Sequence, residues 1–533
     1  MDCITTRIPY RQTNAFSNIV LDYIEHATGM DSFFKYPPDL QGIKNAIAAR
    51  KKYTTDRNLL TAELTKQYAV VEKPGLVKKN IDALASENTF TVTTAHQPNI
   101  FTGPLFFIYK ILHAIKFADF LNKSLPENKF VPIYYMGSED ADLEELGHIY
   151  INGEKYNWNT KQTGAVGRMK VDKELIKLIG LMEGQLKVFP FGDEILSLVK
   201  ECYKEDVLIQ DATFQLVNSL FGKYGLIVLI PDNTALKKQM IKVFEDDLLN
   251  QTPSTLVEKT AAALQNAGYK QQANPRQVNL FYLSDGIRGR IEKVNDKFFI
   301  HDLRKKIEEK ELLAELHSHP ERFSPNVILR GLYQETILPN IAYIGGGGEI
   351  AYWFQYKEMF ENYKLAYPVL LLRNSFLIVE KKWQEKIKKL GFSIIDFFQP
   401  EADLLNKIVQ RETLNKVKLN GVFEETEKFY EQLKKQAMPI DASLAQHIEA
   451  LKTQSIHRLQ ELEKKMLRAE KRKFTDQQRQ IHTIREKLFP KNTLQERIDN
   501  LMPYYAKWGT NFIDKLYEHS FNMEHEFVVL EEK

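Results

Sequence analysis

Cysteine is almost absent from this 533-residue chain: only Cys3 and Cys202 occur, too few for a disulfide framework and in keeping with a reducing compartment. No run approaches the roughly 20 apolar residues needed to cross a bilayer. The opening MDCITTRIPYRQ lacks the apolar core of a signal peptide. A cytoplasmic protein with no membrane association is therefore expected. Strong charge of one sign is missing too, and a formal net charge of +3 at this length gives no reason to expect a nucleic-acid partner. His317-Ser318-His319 finds no third ligand at sensible spacing, so no metal site is nominated. Gly-Lys-Ser/Thr and GxGxxG phosphate loops are lacking as well. What remains is a chain of ordinary globular composition, 43% hydrophobic and 27% charged, long enough for two or three folding units.

Its most informative feature is a pair of apolar runs that end abruptly in polar groups. Phe90 to Asn99 reads FTVTTAHQPN and is followed by Phe101-Thr102-Gly103-Pro104 and a helical pattern. Phe130 to Asp142 reads FVPIYYMGSEDAD. Between them Leu105, Ile108, Ile111, Leu112, Ile115 and Leu121 recur near helical spacing. Strand, helix, strand with short links predicts a right-handed βαβ unit in a parallel sheet, whose strand ends open onto a ligand cleft. Proline at Pro104 suits a helix start, because its missing N–H would be unpaired there anyway.

Tyr224–Ile230 is a further continuous apolar run, the mark of a strand covered on both faces, and Pro231-Asp232-Asn233 ends it in another polar tip. Sheet signals resume at Tyr367–Leu372 and Phe392–Phe398; a hairpin is predicted from Val278–Leu283 and Arg290–Ile300. The first eighty residues read as mostly helical. From Asp441 to Phe489 there is neither glycine nor proline, and the apolar residues keep 3/4 spacing with a slip near Ser455, predicting one long helix with a coiled-coil seam. A shorter helix upstream, from Val422 to Leu433, makes an antiparallel hairpin with it, and the uncovered length should pair with another subunit. The expected order is a first core segment with N-terminal helices (1–150), a first insertion (151–222), a core strand and helix (223–250) and a second insertion (251–320). A second core segment (321–400), a helical coiled-coil arm (401–490) and a C-terminal segment docking on the core (491–533) follow.

Candidate chemistry gathers at the polar tips. His96, Gln97 and Asn99, with Gly103, precede a helix N-terminus whose free N–H groups suit phosphate or carboxylate. His96 could also relay a proton, or merely cap its turn. Ser138, Glu139, Asp140 and Asp142 could hold an ammonium, coordinate Mg or act as a base; equally they could cap and stabilise the following helix. Asn326 and Arg330 could clamp an anion, with Gln334 one turn on. In Tyr343-Ile344-Gly345-Gly346-Gly347-Gly348-Glu349 the glycines allow close backbone approach to a ligand. Tyr504 and Lys507 mix aromatic and cationic groups that fit a nucleotide or a simple docking contact.

The stretches TTAHQPNIFTGPLFFIYKILHAIK, PIYYMGSEDADLEELGH, FSPNVILRGLYQETILPNIAYIGGGGEIAYW and LQERIDNLMPYYAKWG resemble, in order, the bacillithiol-biosynthesis family thought to add cysteine to glucosaminyl-malate. The resemblance implies a Rossmann-like core with two connecting-peptide insertions and a C-terminal coiled coil that makes a homodimer. It also implies an ATP-type nucleotide, ATP or ADP, with Mg as a candidate ion, and an amide-forming ligation of cysteine to the glucosamine amine. Two positions depart from the family pattern: His96 replaces the first of a Gln-Gln pair, and Ala141 stands where a histidine is usual. On this reading His96, Gln97, Glu139 and Asp140 are catalytic. Asn99, Gly103, Ser138, Asp142, Asn326, Arg330, Gln334, Gly346, Gly347 and Glu349 bind substrate, and Tyr504 and Lys507 touch the nucleotide. The alternatives are a non-catalytic nucleotide-binding coiled-coil dimer and a synthetase-like tRNA-handling protein.

Overall fold

The computed structural model describes residues 2–413 and 418–533; residues 1 and 414–417, the latter inside the expected helical arm, lie outside the described residues. The chain divides into two compact units, Met1–Ile378 with Thr493–Lys533, and Val379–Asn492. No helix among the described residues is long and apolar enough to cross a membrane.

The first unit is organised on a five-stranded parallel sheet. In chain order its strands are β1 (Thr89–His96), β2 (Lys129–Met136), β3 (Ile227–Leu229), β4 (Asn340–Gly345) and β5 (Val369–Leu372). In space the order is β5-β4-β1-β2-β3. The order reverses between β1 and β4, and such a switch point leaves a crevice beyond the carboxyl ends of the strands. Strand β1 is buried from Thr89 to Ala95, and its β-branched run Thr91-Val92-Thr93-Thr94 suits a strand covered on both faces. The threonine hydroxyls are not orphaned: Thr91 and Thr93 donate to Asn340 Oδ1 at 3.1 and 2.8 Å, and Thr94 donates to the Ile344 carbonyl at 2.8 Å. Pro132, which brings no N–H, sits in β2 just before the Ile133–Tyr135 stretch that pairs with β3.

The helix Phe106–Ser124 makes the predicted crossover from β1 to β2. Its residues Ala114, Phe117, Ala118 and Leu121 pack with Phe90, Val92, Ile341 and Ile344 of the sheet and with Ile43, Ala46 and Ile47 of the helix Leu40–Arg50. Arg50, at the end of that helix, is buried against Glu335. Its Nη2 lies 2.6 Å from Glu335 Oε2, while Nε donates to the Asn340 carbonyl and Nη1 to the Glu335 carbonyl. One guanidinium therefore ties the N-terminal helices to the edge of β4.

Two insertions interrupt the sheet. The first, between β2 and β3, holds a small hairpin (His148–Ile151 with Glu154–Asn157) and the helices Lys173–Leu186, Gly192–Cys202 and Ile209–Phe221. The second, between β3 and β4, carries a five-stranded antiparallel sheet, ordered Lys305–Glu308, Lys297–Ile300, Ile287–Val294, Leu280–Ser284 and Phe323–Pro325. The predicted hairpin lies at its centre, with the expected Arg290–Ile300 arm folded into two antiparallel strands, Ile287–Val294 and Lys297–Ile300, by a turn at Asn295 (φ +54°).

Three local expectations change. The first eighty residues contain four helices but open on a strand, Cys3–Pro9, paired antiparallel with Glu526–Glu532. Phe392–Phe398 is no strand: after Gly391 (φ +70°), Asp396 accepts from the Ser393 N–H and hydroxyl at 2.9 and 2.7 Å, and the chain turns into a short helical turn, Ile395–Phe398. The long helix is Leu444–Lys471, then a tight turn at Arg472–Phe474, then Thr475–Leu488. In this second unit the helix Asn420–Ala437 runs antiparallel to Leu444–Lys471. The Leu419 N–H donates to Glu463 at 2.7 Å and the Tyr430 hydroxyl meets Ser455 at 2.6 Å, so the contacts descend one helix as they climb the other.

Breaking the Arg50–Glu335 pair from one side would strand a buried carboxylate. Arg50→Met should destabilise the protein by about 3–5 kcal/mol, read as a lower urea midpoint, and adding Glu335→Gln should recover part of the loss.

Candidate functional site

Four of the five core strands lead into one cavity of about 330 Å³ beyond the carboxyl edge of the sheet. His96 and Gln97 come from the end of β1, Gly137 to Asp140 from the loop after β2, Pro231 from beyond β3 and Glu349 from the helix Gly347–Trp353 that follows β4. Asn326, Arg330 and Arg288 arrive from the second insertion and the helix that follows it.

The His96 ring lies between Phe106 and Phe107, with centroids 5.2 and 5.1 Å away, and its Nε2 is buried without a partner. Burial, reinforced by the Lys110 cation, pushes its pKa down to about 3. At neutral pH it is an uncharged hydrogen-bonding group. Lys110, buried on the crossover helix, donates to the Ala95 carbonyl and to Glu349 Oε2, the latter at 2.6 Å. Burial would raise the Glu349 carboxyl, but Lys110, the Tyr343 hydroxyl and the Gly346 N–H hold it down at about 2. The wall beside β4 is therefore a fixed ion pair. Arg330 completes it: Nη2 donates to the Tyr352 hydroxyl at 2.8 Å, and Nη1 is buried with no partner.

The opposite wall is acidic. Gln97 Nε2 donates to Asp140 Oδ2 at 3.2 Å, and Arg288 Nη1 lies 4.0 Å from Asp140 Oδ1. Arg288 itself stacks on Phe281, 4.0 Å from its centroid. Glu139 is buried and takes a hydrogen bond from Lys237 Nζ. Burial raises its pKa, and Lys237 opposes that rise. Ser138 Oγ is buried and unpartnered.

A strap from the first insertion fixes this acidic loop from outside. The Gly167 N–H donates to the Ser138 carbonyl at 2.9 Å, and the Val166 N–H to the Asp140 carbonyl at 2.7 Å. Gly167 must be glycine for this approach, since a Cβ there would stand 2.6 Å from Ser138 Cβ and still closer to its carbonyl oxygen. At Gly164 (φ +89°) a Cβ would lie 2.7 Å from backbone atoms of Gly286 and Ile287, the turn leading to Arg288. Thr163 Oγ1 secures that turn through the Gly286 carbonyl at 2.7 Å.

Of the residues nominated from sequence, His96, Gln97, Ser138, Glu139, Asp140, Asn326, Arg330 and Glu349 line this one cavity. The others do not line it. Asp142 caps a short helix, accepting from the Glu145 N–H at 3.0 Å; Asn99 donates to the Glu145 carbonyl at 3.4 Å. Gly103 (φ +59°) packs on Asn99, and Gly347 on Val20. The Gly346 N–H donates to Glu349 Oε2 at 2.8 Å, and Gln334 is buried, donating to Glu335 at 2.9 Å. Tyr504 gives its hydroxyl to Asp499 at 2.6 Å, and Lys507 pairs with Glu532 at 3.6 Å. Lys110, Lys237, Arg168 and Arg288 escaped sequence reasoning, and Asp232 entered it only as part of a polar tip. The polar tip Pro231-Asp232-Asn233 was the one available signal, since it ends a core strand as the other site loops do.

Two family models cover the chain. Residues 2–374 match the N-terminal Rossmann-like domain of bacillithiol biosynthesis BshC, and residues 376–532 its C-terminal coiled-coil domain. A Flavobacterium psychrophilum protein named "Putative cysteine ligase BshC" is 37% identical over 97% of this chain and 96% of its own. Proteins of the same name from Christiangramia forsetii and Cytophaga hutchinsonii are 36% identical over 99% of both chains and 35% identical over 96% of both.

Two measurements check this geometry. In ¹⁵N-histidine NMR the His96 ring should stay neutral through about pH 5–8, protonating only on approach to its depressed pKa. Gly167→Ala should cost about 1–3 kcal/mol by overpacking, seen as a lower melting temperature.

Proposed function

The chain belongs to the bacillithiol-biosynthesis BshC family, and from that premise we propose that it is a carbon–nitrogen ligase joining cysteine to glucosaminyl-malate. The observation that carries the reading is the cavity's division of charge. Glu139 and Asp140 form a wall suited to an amine or ammonium, while Arg330 Nη1 and Ser138 Oγ are buried donors without partners, suited to carboxylate or phosphate oxygens. An amide-forming ligation brings together an amine and a carboxyl, and these walls suit that pair.

In this mechanism Glu139 accepts the proton released by the glucosamine amine, and Asp140, braced by Gln97, orients that amine. Neutral His96 supplies a hydrogen bond but no charge, and Asn326 and Glu349 shape the far side. Asn99, Gly103, Asp142, Gln334, Gly346 and Gly347 act one layer back by holding the loops that carry these groups. ATP, when bound, would supply the activation that makes the cysteine carboxyl an acyl donor; Arg330 and Ser138 fit its phosphates, whereas among the described residues no group of three or more carboxylate, imidazole or thiol side chains gathers to hold Mg. Tyr504 and Lys507 fit a nucleotide less well, because Asp499 and Glu532 already engage them. A cytoplasmic homodimer completes the proposal: Val422, Phe429, Leu444, Leu451 and Leu462 leave apolar surface exposed on the helical hairpin, which a second copy would cover.

Incubation with glucosaminyl-malate, cysteine and ATP, followed by mass analysis of thiols and nucleotides, should yield the cysteinyl adduct with consumption of ATP. Nucleotide binding without any adduct would favour a non-catalytic role. Glu139→Gln should lower product formation by about 10²–10⁴-fold with little change in the cysteine KM.

A further inference from the structure

No pattern in the sequence marks Lys237, yet it is among the most constrained side chains in the protein. It ends the helical turn Thr234–Lys237 just past β3, and its side chain is 0% exposed. An ammonium has three donors, and three acceptors surround this one: Glu139 Oε1, Asp232 Oδ1 at 3.3 Å and the Glu321 carbonyl at 3.1 Å. Asp232 is held in turn by Arg168, with Nε at 2.6 Å and Nη2 at 2.7 Å, and Arg168 Nη2 also reaches the Glu321 carbonyl at 3.2 Å. Lys237 thus joins the acidic loop after β2, the tip of β3, the strap of the first insertion and the turn that closes the second.

Charge explains why so many segments meet here. Glu139 and Asp232 are two buried carboxylates, and Lys237 and Arg168 are the two cations that neutralise them. Arg288 and Asp140 form a looser pair on the cavity side, and the Glu321 carboxylate faces His319 at 3.1 Å. Without Lys237, Arg168 would still satisfy Asp232 through its paired contacts. Glu139 would keep no cation in contact, and a buried carboxyl in that position takes up a proton.

We propose that Lys237 is the positioning residue of this site: it keeps Glu139 ionised and turned to the cavity, and through Glu321 it makes that state depend on the second insertion being docked. The proposal rests on the reading of Glu139 as the group that accepts the amine proton. A merely structural lysine would affect stability alone, whereas this one also sets the pH at which Glu139 can work.

The test compares wild type with Lys237→Met and Lys237→Arg in the full-length protein. Loss of the cation raises the Glu139 pKa, so the base stays protonated to higher pH. In Lys237→Met, kcat should fall about 100-fold near pH 7, with KM for both substrates little changed. Activity should return on the alkaline side, the acid limb moving to about two pH units above neutral, where a 100-fold loss at pH 7 places it. In Lys237→Arg, which keeps the charge, the acid limb should stay near wild type while kcat drops. Infrared difference spectra, with Glu139→Gln to assign the band, should show a protonated Glu139 at neutral pH in Lys237→Met and a carboxylate in wild type. An unmoved acid limb in Lys237→Met, or a Glu139 still ionised there, overturns the proposal. Should Lys237→Met not fold, a displaced limb in Lys237→Arg overturns it instead. If wild type makes no adduct, the ligase reading fails, but the infrared comparison still decides whether Lys237 controls Glu139.

Discussion

A charge taken out of water must find an opposite charge or lose its own, and the whole carboxyl edge of this sheet is arranged around that requirement. Lys110 answers Glu349, Lys237 and Arg168 answer Glu139 and Asp232, and Arg373, just past β5, answers Glu496 at 2.7 Å. Each partner comes from a different stretch of chain. The cavity is therefore not a gap left between finished elements. Its walls exist only when the crossover helix and both insertions have reached their places. Arg330 stands apart in this scheme, since its guanidinium leans on a tyrosine hydroxyl rather than on a carboxylate.

The insertions are what distinguish this site from a bare nucleotide-binding sheet. The strap from Thr163 to Arg168 adds two backbone hydrogen bonds to the contacts of its Thr163 and Arg168 side chains, and glycine at Gly164 and Gly167 is what lets main chain lie on main chain. Backbone contacts of this kind fix loops more tightly than side-chain contacts, because few rotatable bonds intervene. Ser138, Glu139 and Asp140 consequently sit in a frame set on one side by β2 and on the other by the strap. For a ligase that must align two substrates and exclude water, such rigidity counts directly toward rate.

Much of this was legible in the sequence, and what was not has a common cause. Strands β1 and β2, the crossover helix and the polar tips announce themselves through local periodicity and abrupt changes in polarity, and they brought His96, Glu139, Asn326 and Glu349 to one place. Lys237 and Lys110 carry no local signal, because their partners lie 98 and 239 residues away in sequence. A lysine on an otherwise apolar helix face reads as solvent-facing until its carboxylate is known. The Cys3–Pro9 strand escaped for the same reason, its Thr6 meeting Glu531 across 525 positions. Phe392–Phe398 failed differently: aromatic and β-branched residues favour a strand, but the Asp396 side chain captures the local N–H and bends the chain first.

The pairing of Cys3–Pro9 with Glu526–Glu532 has a consequence for biogenesis. The first strand emerges from the ribosome with its partner still unmade, and both Glu496, the counter-charge to Arg373, and the closing strand follow only after the helical hairpin has been translated. Until then a nascent chain carries an open sheet edge and an uncompensated arginine, features that invite non-native association. The intervening hairpin, built from local contacts, can fold while the larger unit waits. Vectorial synthesis thus supplies Glu496 and the closing strand only after the helical hairpin.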